Sequence, residues 1–206
     1  MGDTDDRIGP YRVLRRLGVG GIAEAFEALR AHDRGVAHRV CVKRVLPAYA
    51  EDAELVRLFE HEARMMAALA HANIVGVIDV GAHEGRPYLV LELVDGIDLR
   101  ALLQTAPGKR LDADIVRFIA YELATALAFA HTPDPPRREF GVVHRDLSPS
   151  NVLIARGGEV RLTDFGLAKA VAAQPVTQSG AVRGKIPYMA PEHMRGAPID
   201  ARADLF

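Results

Sequence analysis

The chain has 206 residues, 49% of them hydrophobic, and a formal net charge of −1. This balance is typical of a globular protein and offers no electrostatic basis for binding nucleic acid or an anionic membrane surface. The single cysteine, Cys41, excludes an internal disulfide and indicates a reducing compartment. The acidic N-terminus has no signal-peptide pattern, and no uncharged apolar run has membrane-spanning length. We therefore expect a cytoplasmic protein with no membrane segment in this chain.

The first half of the sequence predicts several strands and one helix. Strands are expected at 11–17, 38–45, 73–80 and 86–93, with a turn at His83-Glu84-Gly85 between the last two. Helical periodicity over 51–70 predicts an amphipathic helix. Its inward side would carry Leu55, Leu58, Phe59, Glu62, Met65, Met66 and Leu69.

The segment 18–30 has two interpretations. Gly18-Val19-Gly20-Gly21 interrupts the strand at 11–17, and AEAFEALR at 23–30 has high helix propensity. Strand, glycine turn and helix in this order fit the G-x-G-x-x-G/A fingerprint of a Rossmann oxidoreductase. The second interpretation makes 22–30 a strand, and the remainder of the chain decides between the two.

The second half begins with Asp98, which is either an N-cap for the following helix or a ligand for a ribose or a basic substrate residue. A long amphipathic helix is expected over 112–131. Its inward residues would be Ile115, Ile119, Leu123, Ala126, Leu127 and Ala130. The next segment, 132–140, contains three prolines and several charges, which predicts a solvated surface loop.

The stretch 144–166, HRDLSPSNVLIARGGEVRLTDFG, is polar at both ends. VLIA and VRLT flank Gly157-Gly158, so a short hairpin is expected between the two ends. The hairpin would bring Asp146 and Asn151 close to Asp164. Carboxylate and amide oxygens suit a hard cation such as Mg²⁺.

Three motifs in this half resemble those of the protein kinase family. The catalytic-loop pattern is matched by His144-Arg145-Asp146-Leu147 with Asn151, and the DFG pattern by Asp164-Phe165-Gly166. Ala190-Pro191-Glu192 matches the APE pattern. The resemblance to bacterial serine/threonine protein kinases covers almost the whole chain. It favours a strand at 22–30 over the Rossmann interpretation.

The resemblance implies an α+β, two-lobed fold. Residues 1–10 would form a tail, 11–94 an antiparallel β small lobe with one helix and the hinge, and 95–206 a mainly helical large lobe. Asp204 would anchor the catalytic loop. The chain ends at Phe206, before several large-lobe helices of the family. We therefore expect an incomplete large lobe, with the helix at 112–131 partly uncovered and Glu192 lacking its family arginine partner.

The resemblance also implies ATP and Mg²⁺ as cofactors. Asp146 would be the catalytic base, Lys43 held by Glu62 would bind phosphates, and Asn151 and Asp164 would ligate Mg²⁺. Cys41 and Leu153 would sandwich the adenine. The implied nucleotide-binding set is Leu17, Gly18, Val19, Gly20, Gly21, Ala25, Cys41, Lys43, Leu91, Glu92, Leu93, Leu153 and Asp164. Met66, Val77, His144 and Phe165 match the stacked internal residues of an assembled active state.

The chain departs from the family where a lysine normally follows the catalytic aspartate and a threonine precedes APE. These positions hold Ser148 and Lys185, and we hypothesise that Lys185 supplies the missing catalytic charge. Thr177 and Ser179 are candidate autophosphorylation sites, modified through self-association. Arg145 is the implied receiver of the phosphate.

The implied function is ATP-dependent transfer of a phosphoryl group to a serine or threonine hydroxyl of a protein substrate. The alternative is a nucleotide-binding module without catalytic activity, similar to a pseudokinase and acting through binding. A Rossmann oxidoreductase rests on 11–30 alone, and binding of a nicotinamide cofactor in place of ATP would revive it.

Overall fold

The computed structural model describes residues 6–31, 37–135, 138, 140–165 and 186–206. The chain divides into two compact units: Met1–Ala67 with Gly76–Leu93, and Ala68–Val75 with Val94–Phe206. In the first unit, the described strands form an antiparallel sheet in the order β1-β2-β3-β4-β6-β5. These strands are β1 (Arg7–Ile8), β2 (Tyr11–Val19), β3 (Ala23–Ala31), β4 (Ala37–Val45), β5 (Val77–His83) and β6 (Arg86–Glu92).

β3 settles the ambiguity of segment 18–30 in favour of a strand. It pairs along its whole length with β4 and along most of it with β2, so its backbone groups are bonded on both sides. Phe26 and Ala28 are buried in a core with residues of β2, β4 and β6. Burial and sheet pairing outweigh the helix propensity of alanine and glutamate. β2 also runs through Gly18 to Val19, two residues beyond the predicted end.

The helix α1 (Ala53–Ala67) packs against β5 and β6 within the same unit. It is shorter than the predicted 51–70 at both ends, and it buries Phe59, Ala63 and Met66. The turn between β5 and β6 is confirmed. Glu84 and Gly85 adopt positive φ angles of 51° and 72°, as hairpin turns of this length require.

The predicted strand at 73–80 is wrong in its first residues, because β5 begins at Val77. The backbone before it pairs elsewhere: Val75 N donates to Leu162 O, and Leu162 N donates to Asn73 O. The Asn73 amide also donates to Val160 O at 3.0 Å. These bonds hold Ala68–Val75 within the second unit. The sequence pattern alone had placed residues 73–75 in a strand of the small lobe.

The second unit contains a second antiparallel sheet in the order β7-β8-β9. Its described elements are β7 (Gly96–Asp98), α2 (Leu99–Thr105), α3 (Ala113–His131), β8 (Val152–Ala155), β9 (Val160–Leu162) and the short helix α4 (Pro191–Met194). β8 and β9 form the predicted hairpin, with Gly158 at φ 95° in its turn. Asp98 is an N-cap: its carboxylate accepts from Ala101 N at 2.8 Å.

α3 agrees with prediction at its ends to within one residue, and it is partly uncovered, as expected. Ile119, Ala126, Leu127 and Ala130 are buried, whereas Ile115 is 46% exposed and is not the core residue that its spacing predicted. Exposed apolar neighbours on the same helix are Val116, Phe118 and Tyr121. Within the described residues, no helix is both long and apolar enough to cross a membrane.

The predicted solvated loop at 132–140 contains a buried arginine, which corrects the prediction at that residue. Arg138 is 4% exposed, and its Nη1 donates to Ala130 O at 2.9 Å and to Phe129 O at 3.2 Å. Its guanidinium lies 4.7 Å from the centroid of the Phe129 ring. The cation satisfies carbonyls at the C-terminus of α3, the negative end of the helix dipole. Composition could not reveal this role.

Candidate active site

The catalytic loop is held from beneath by Asp204, as predicted. Its carboxylate is 1% exposed and accepts three hydrogen bonds: from His144 N at 2.7 Å, Arg145 N at 2.8 Å and His131 Nε2 at 2.7 Å. Two of the donors are backbone amides, so the chain direction at 144–145 is fixed. A buried carboxylate is stable only with such a complete set of donors.

Asp146 and Asn151 are brought together as the motif predicts. The Asn151 amide nitrogen donates to the Asp146 carbonyl at 2.7 Å and to the Asp146 carboxylate at 2.9 Å. A short 3₁₀ turn at Pro149–Asn151 closes the loop between them. Because both bonds use the nitrogen, the amide orientation is fixed and its carbonyl oxygen is directed away from Asp146.

His144 links this loop to the end of β9. Asp146 N donates to His144 Nδ1 at 3.2 Å, so Nε2 carries the ring proton, and that nitrogen lies 3.0 Å from Thr163 O. Burial lowers the pKa of the imidazole, so the ring is held in its neutral form. The Phe165 ring, also fully buried, lies 4.5 Å from it between centroids.

Asp164 joins the same cluster through Thr163. Thr163 N donates to Asn151 O at 3.0 Å, and Thr163 Oγ1 lies 3.1 Å from Asp164 Oδ1. Asp164 and Arg145 both have positive φ, 63° and 65°. Non-glycine residues seldom adopt this conformation, and it is concentrated at functional sites. The hairpin therefore does gather Asp146, Asn151 and Asp164, the three residues that the sequence analysis assigned to one site.

The donor chemistry of this cluster fits Mg²⁺. Among the described residues, no group of three or more His, Cys, Asp or Glu side chains forms a metal cage. Magnesium usually binds through one or two carboxylates and completes its shell with water and substrate phosphates. One carboxylate (Asp164) and one amide oxygen (Asn151) suit that mode of binding.

The glycine-rich segment, Gly18-Val19-Gly20-Gly21, lies in the first unit, at the end of β2 and the turn into β3. Gly20 N donates to Ala23 O at 2.8 Å, which closes the turn. A Cβ added at Gly18 or Gly21 would meet no heavy atom within 4 Å. The backbone here is open, as close approach of a phosphate requires.

The remaining implied nucleotide-binding residues fall into both units. In the first unit, Lys43 on β4 is half-buried and pairs in register with Ala25 and Leu89. Glu62 lies half-buried on α1. Cys41 pairs with Leu91, which is 2% exposed, and Leu153 lies on β8 in the second unit. The Lys43–Glu62 ion pair and the adenine sandwich stay predictions.

Several sequence predictions lie outside the described residues. These are Gly166, Thr177, Ser179 and Lys185. Ser148, in contrast, is described: it is 5% exposed, and its hydroxyl lies 3.1 Å from that of Ser150.

Two residues of the cluster were missed by the sequence analysis. His131, the last residue of α3, donates from Nε2 to the Asp204 carboxylate, and Thr163 connects Asn151 to Asp164. Neither residue lies in one of the three kinase motifs. Thr163 directly precedes Asp164 and could have been suspected; nothing in the sequence pattern indicates His131, because its partner is 73 residues away.

The family model for the protein kinase domain matches residues 11–206. The chain therefore belongs to the protein kinase family.

Among its relatives, it is 40% identical over 201 residues to the tyrosine-protein kinase MasK of Myxococcus xanthus. It is 38% identical over 203 residues to the serine/threonine-protein kinase PknA of Mycobacterium tuberculosis. These matches cover 96% of this chain but only 31% and 44% of the relatives. The crystal structure of the Mycobacterium tuberculosis PknI kinase domain superposes with a TM-score of 0.72 at 31% identity, covering 99% of this chain and 73% of that one.

Proposed function

We propose that the chain transfers the γ-phosphoryl group of ATP to a serine or threonine hydroxyl of a protein substrate. The observation that carries the proposal is the Asp146–Asn151 pair, held on a loop whose backbone amides bind the buried Asp204. Family membership and kinase-named relatives support it. An ATP-dependent enzyme with a single cysteine fits a cytoplasmic location.

Asp146 orients the acceptor hydroxyl and takes its proton. Asn151 keeps the Asp146 carboxylate in one orientation through the amide nitrogen and offers its carbonyl oxygen to a cation. Asp164 provides a carboxylate for the same purpose, while Lys43 binds nucleotide phosphates with Glu62 as its partner. Bound Mg²⁺-ATP would supply the phosphoryl group, with the metal neutralising charge on the phosphates.

Ser148 stands where the family normally carries a catalytic lysine, so another residue would have to supply that positive charge. Ser148 is short and buried, and its hydroxyl is directed to Ser150, so it does not replace the lysine that the family normally carries there. Lys185 is our candidate for that charge. Its removal should lower kcat if it acts in this way.

Arg145 supports regulation by phosphorylation. Within the described part of the chain, its buried Nε has no hydrogen-bond partner, while its backbone N is bound to Asp204. A phosphate is a strong acceptor for a guanidinium. Autophosphorylation of Thr177 or Ser179 through self-association would provide one.

Phosphoryl transfer by residues 1–206 tests the proposal directly. With radiolabelled Mg²⁺-ATP and a generic protein substrate, we expect turnover that falls by about 10²- to 10⁴-fold in Asp146→Asn. Lys185→Ala should lower kcat, whereas Arg202→Ala, at an exposed surface residue, should not. Unchanged turnover in Asp146→Asn would overturn the proposal, and unchanged turnover in Lys185→Ala would remove Lys185 from the catalytic set.

The acceptor class needs its own readout, because one relative is named a tyrosine-protein kinase and another a serine/threonine-protein kinase. Phosphoamino-acid analysis of the labelled substrate separates the two. We expect phosphoserine or phosphothreonine; phosphotyrosine as the main product would replace that part of the proposal.

A second candidate function is nucleotide binding without catalysis. The specific observation in its favour is Ser148, which stands where the family normally carries a catalytic lysine and whose buried hydroxyl lies 3.1 Å from that of Ser150. A melting temperature raised by Mg²⁺-ATP together with no turnover would favour this candidate.

A further inference from the structure

β3 carries a buried carboxylate that none of the kinase motifs includes. Glu27 is 1% exposed, although charged side chains are seldom fully buried without a partner. Arg15 on β2 donates from Nε to Glu27 Oε2 at 2.8 Å. Arg39 on β4 donates from Nε to Oε1 at 2.5 Å, and its Nη2 contacts the same oxygen. One carboxylate therefore bridges three neighbouring strands.

The bridge lies where the pairing of β2 with β3 is least regular. The ladder shifts register between Val13 and Arg15, and again between Arg16 and Gly18. Arg15 pairs with Glu27 between these two shifts, and Gly18 pairs with Ala25 just after the second. Bulged ladders lose backbone hydrogen bonds, and a slip of one residue moves side chains to the opposite face. The Arg15–Glu27 ion pair therefore joins β2 to β3 between the two register shifts, just before the glycine-rich segment.

Glu27 shares a face with the nucleotide-binding residues of the first unit. In antiparallel pairing, directly opposed residues point to the same side of the sheet. Glu27 is opposite Cys41, and Ala25 is opposite Lys43. Arg39, Cys41 and Lys43 alternate along β4, so all three lie on that face as well.

We infer that Glu27 is a positioning residue for nucleotide binding: through Arg15 and Arg39 it holds the glycine-rich segment in register with Ala25, Cys41 and Lys43. The inference rests on the proposed function, because these are the residues that the function assigns to ATP. It adds Glu27, Arg15 and Arg39, which would not contact the nucleotide but would hold the strands that carry its binding residues.

The same strand offers a matched control. Glu24 also bridges two arginines, with contacts to Arg44 at 3.2 Å and Arg86 at 2.9 Å, and is largely buried. Being three residues from Glu27, it points to the other face, beside Phe26 rather than Ala25. Glu24→Gln therefore removes a similar charge from a similar network without weakening the link to Arg15.

The test compares Glu27→Gln, Glu24→Gln and the unchanged chain by titration with the fluorescent probe mant-ADP in the presence of Mg²⁺. We expect Glu27→Gln to raise the dissociation constant about tenfold, since small misplacements of binding groups have effects of this size. Glu24→Gln should leave it within about twofold, at a comparable melting temperature. In the kinase assay, Glu27→Gln should raise KM for ATP with little change in kcat.

Hydrogen exchange of the nucleotide-free chain gives a second readout, at the amides of residues 15–21. Exchange there should be faster in Glu27→Gln than in Glu24→Gln. Should Glu27→Gln fail to fold, Arg15→Gln keeps Glu27 paired with Arg39 and should reproduce the weaker binding. Equal dissociation constants and equal exchange in the two glutamine variants would overturn the inference. An unchanged chain that binds no mant-ADP would instead overturn the proposed function, which separates the two failures.

Discussion

The catalytic loop and the glycine-rich segment differ in burial and in hydrogen bonding. Around the catalytic loop, Asp204, His144 and Asn151 are buried, and hydrogen bonds of 2.7–3.2 Å fix the backbone and the side chains. In the glycine-rich segment, Gly18 and Gly21 are exposed and have nothing within 4 Å of an added Cβ. Hydrogen bonds within the protein hold the catalytic loop in one conformation, whereas the glycine-rich segment leaves open space in which a ligand could bind.

This difference matches what the proposed phosphoryl transfer would require of each region. A catalytic base must be held in one orientation before the substrate arrives, so ordering is completed during folding. A loop that covers phosphates must admit them, so it keeps open backbone and depends on neighbouring strands for its position. Glu27 supplies that positioning from one strand away.

The largest expected effect is at Asp204. Asp204→Ala removes the acceptor of the His144 and Arg145 amides and leaves them buried without a partner. We expect a loss of about 2–5 kcal/mol in the free energy of unfolding and a loss of turnover, measured by urea denaturation and the kinase assay. Asp114→Ala, at a side chain that is 83% exposed, is the control. Equal stability of the two variants would show that the loop is ordered by other contacts.

An intermediate effect separates glycines of the two regions. A Cβ at Gly96 would lie 2.0 Å from Ile154 O, so Gly96→Ala should cost about 1–3 kcal/mol by overpacking. Gly21→Ala should change the free energy of unfolding by less than about 0.5 kcal/mol, because its Cβ enters open space. Binding of mant-ADP should nevertheless weaken in Gly21→Ala. If Gly21→Ala destabilised the chain as much as Gly96→Ala, the contrast between the regions would be lost.

The smallest expected effect is the pH dependence contributed by His144. Because burial lowers its pKa below the ordinary value of 6.5, the unfolded chain binds the proton more readily. Its contribution to stability is complete above pH 6.5 and is lost as the pH falls toward the lowered pKa. His144→Gln keeps a donor and an acceptor but does not titrate, so its melting temperature should fall less between pH 7 and pH 5. Parallel curves for the two proteins would contradict this assignment.

Much of the catalytic region could be predicted from the sequence. Asp146, Asn151 and Asp164 belong to motifs joined by a short hairpin, and a hairpin of VLIA and VRLT around Gly157-Gly158 leaves little choice of geometry. The strand at 23–31 could not be predicted from local propensity, because its alanine and glutamate residues favour a helix. The family resemblance predicted it correctly, and pairing with β2 and β4 explains why.

What the sequence determined by itself is therefore local: the hairpin, the ends of α3 to within one residue, and the motif residues whose chemistry is carried by type and spacing. Contacts between residues far apart in the chain could not be predicted from local sequence pattern, and only the tertiary structure shows them. His131 meets Asp204 across 73 residues, Arg138 turns inward to cap α3, and Glu27 is buried between two arginines. From sequence alone, a charged side chain is expected to be exposed to solvent. Whether it is buried depends on which donors the fold brings to it, and local pattern does not contain that information.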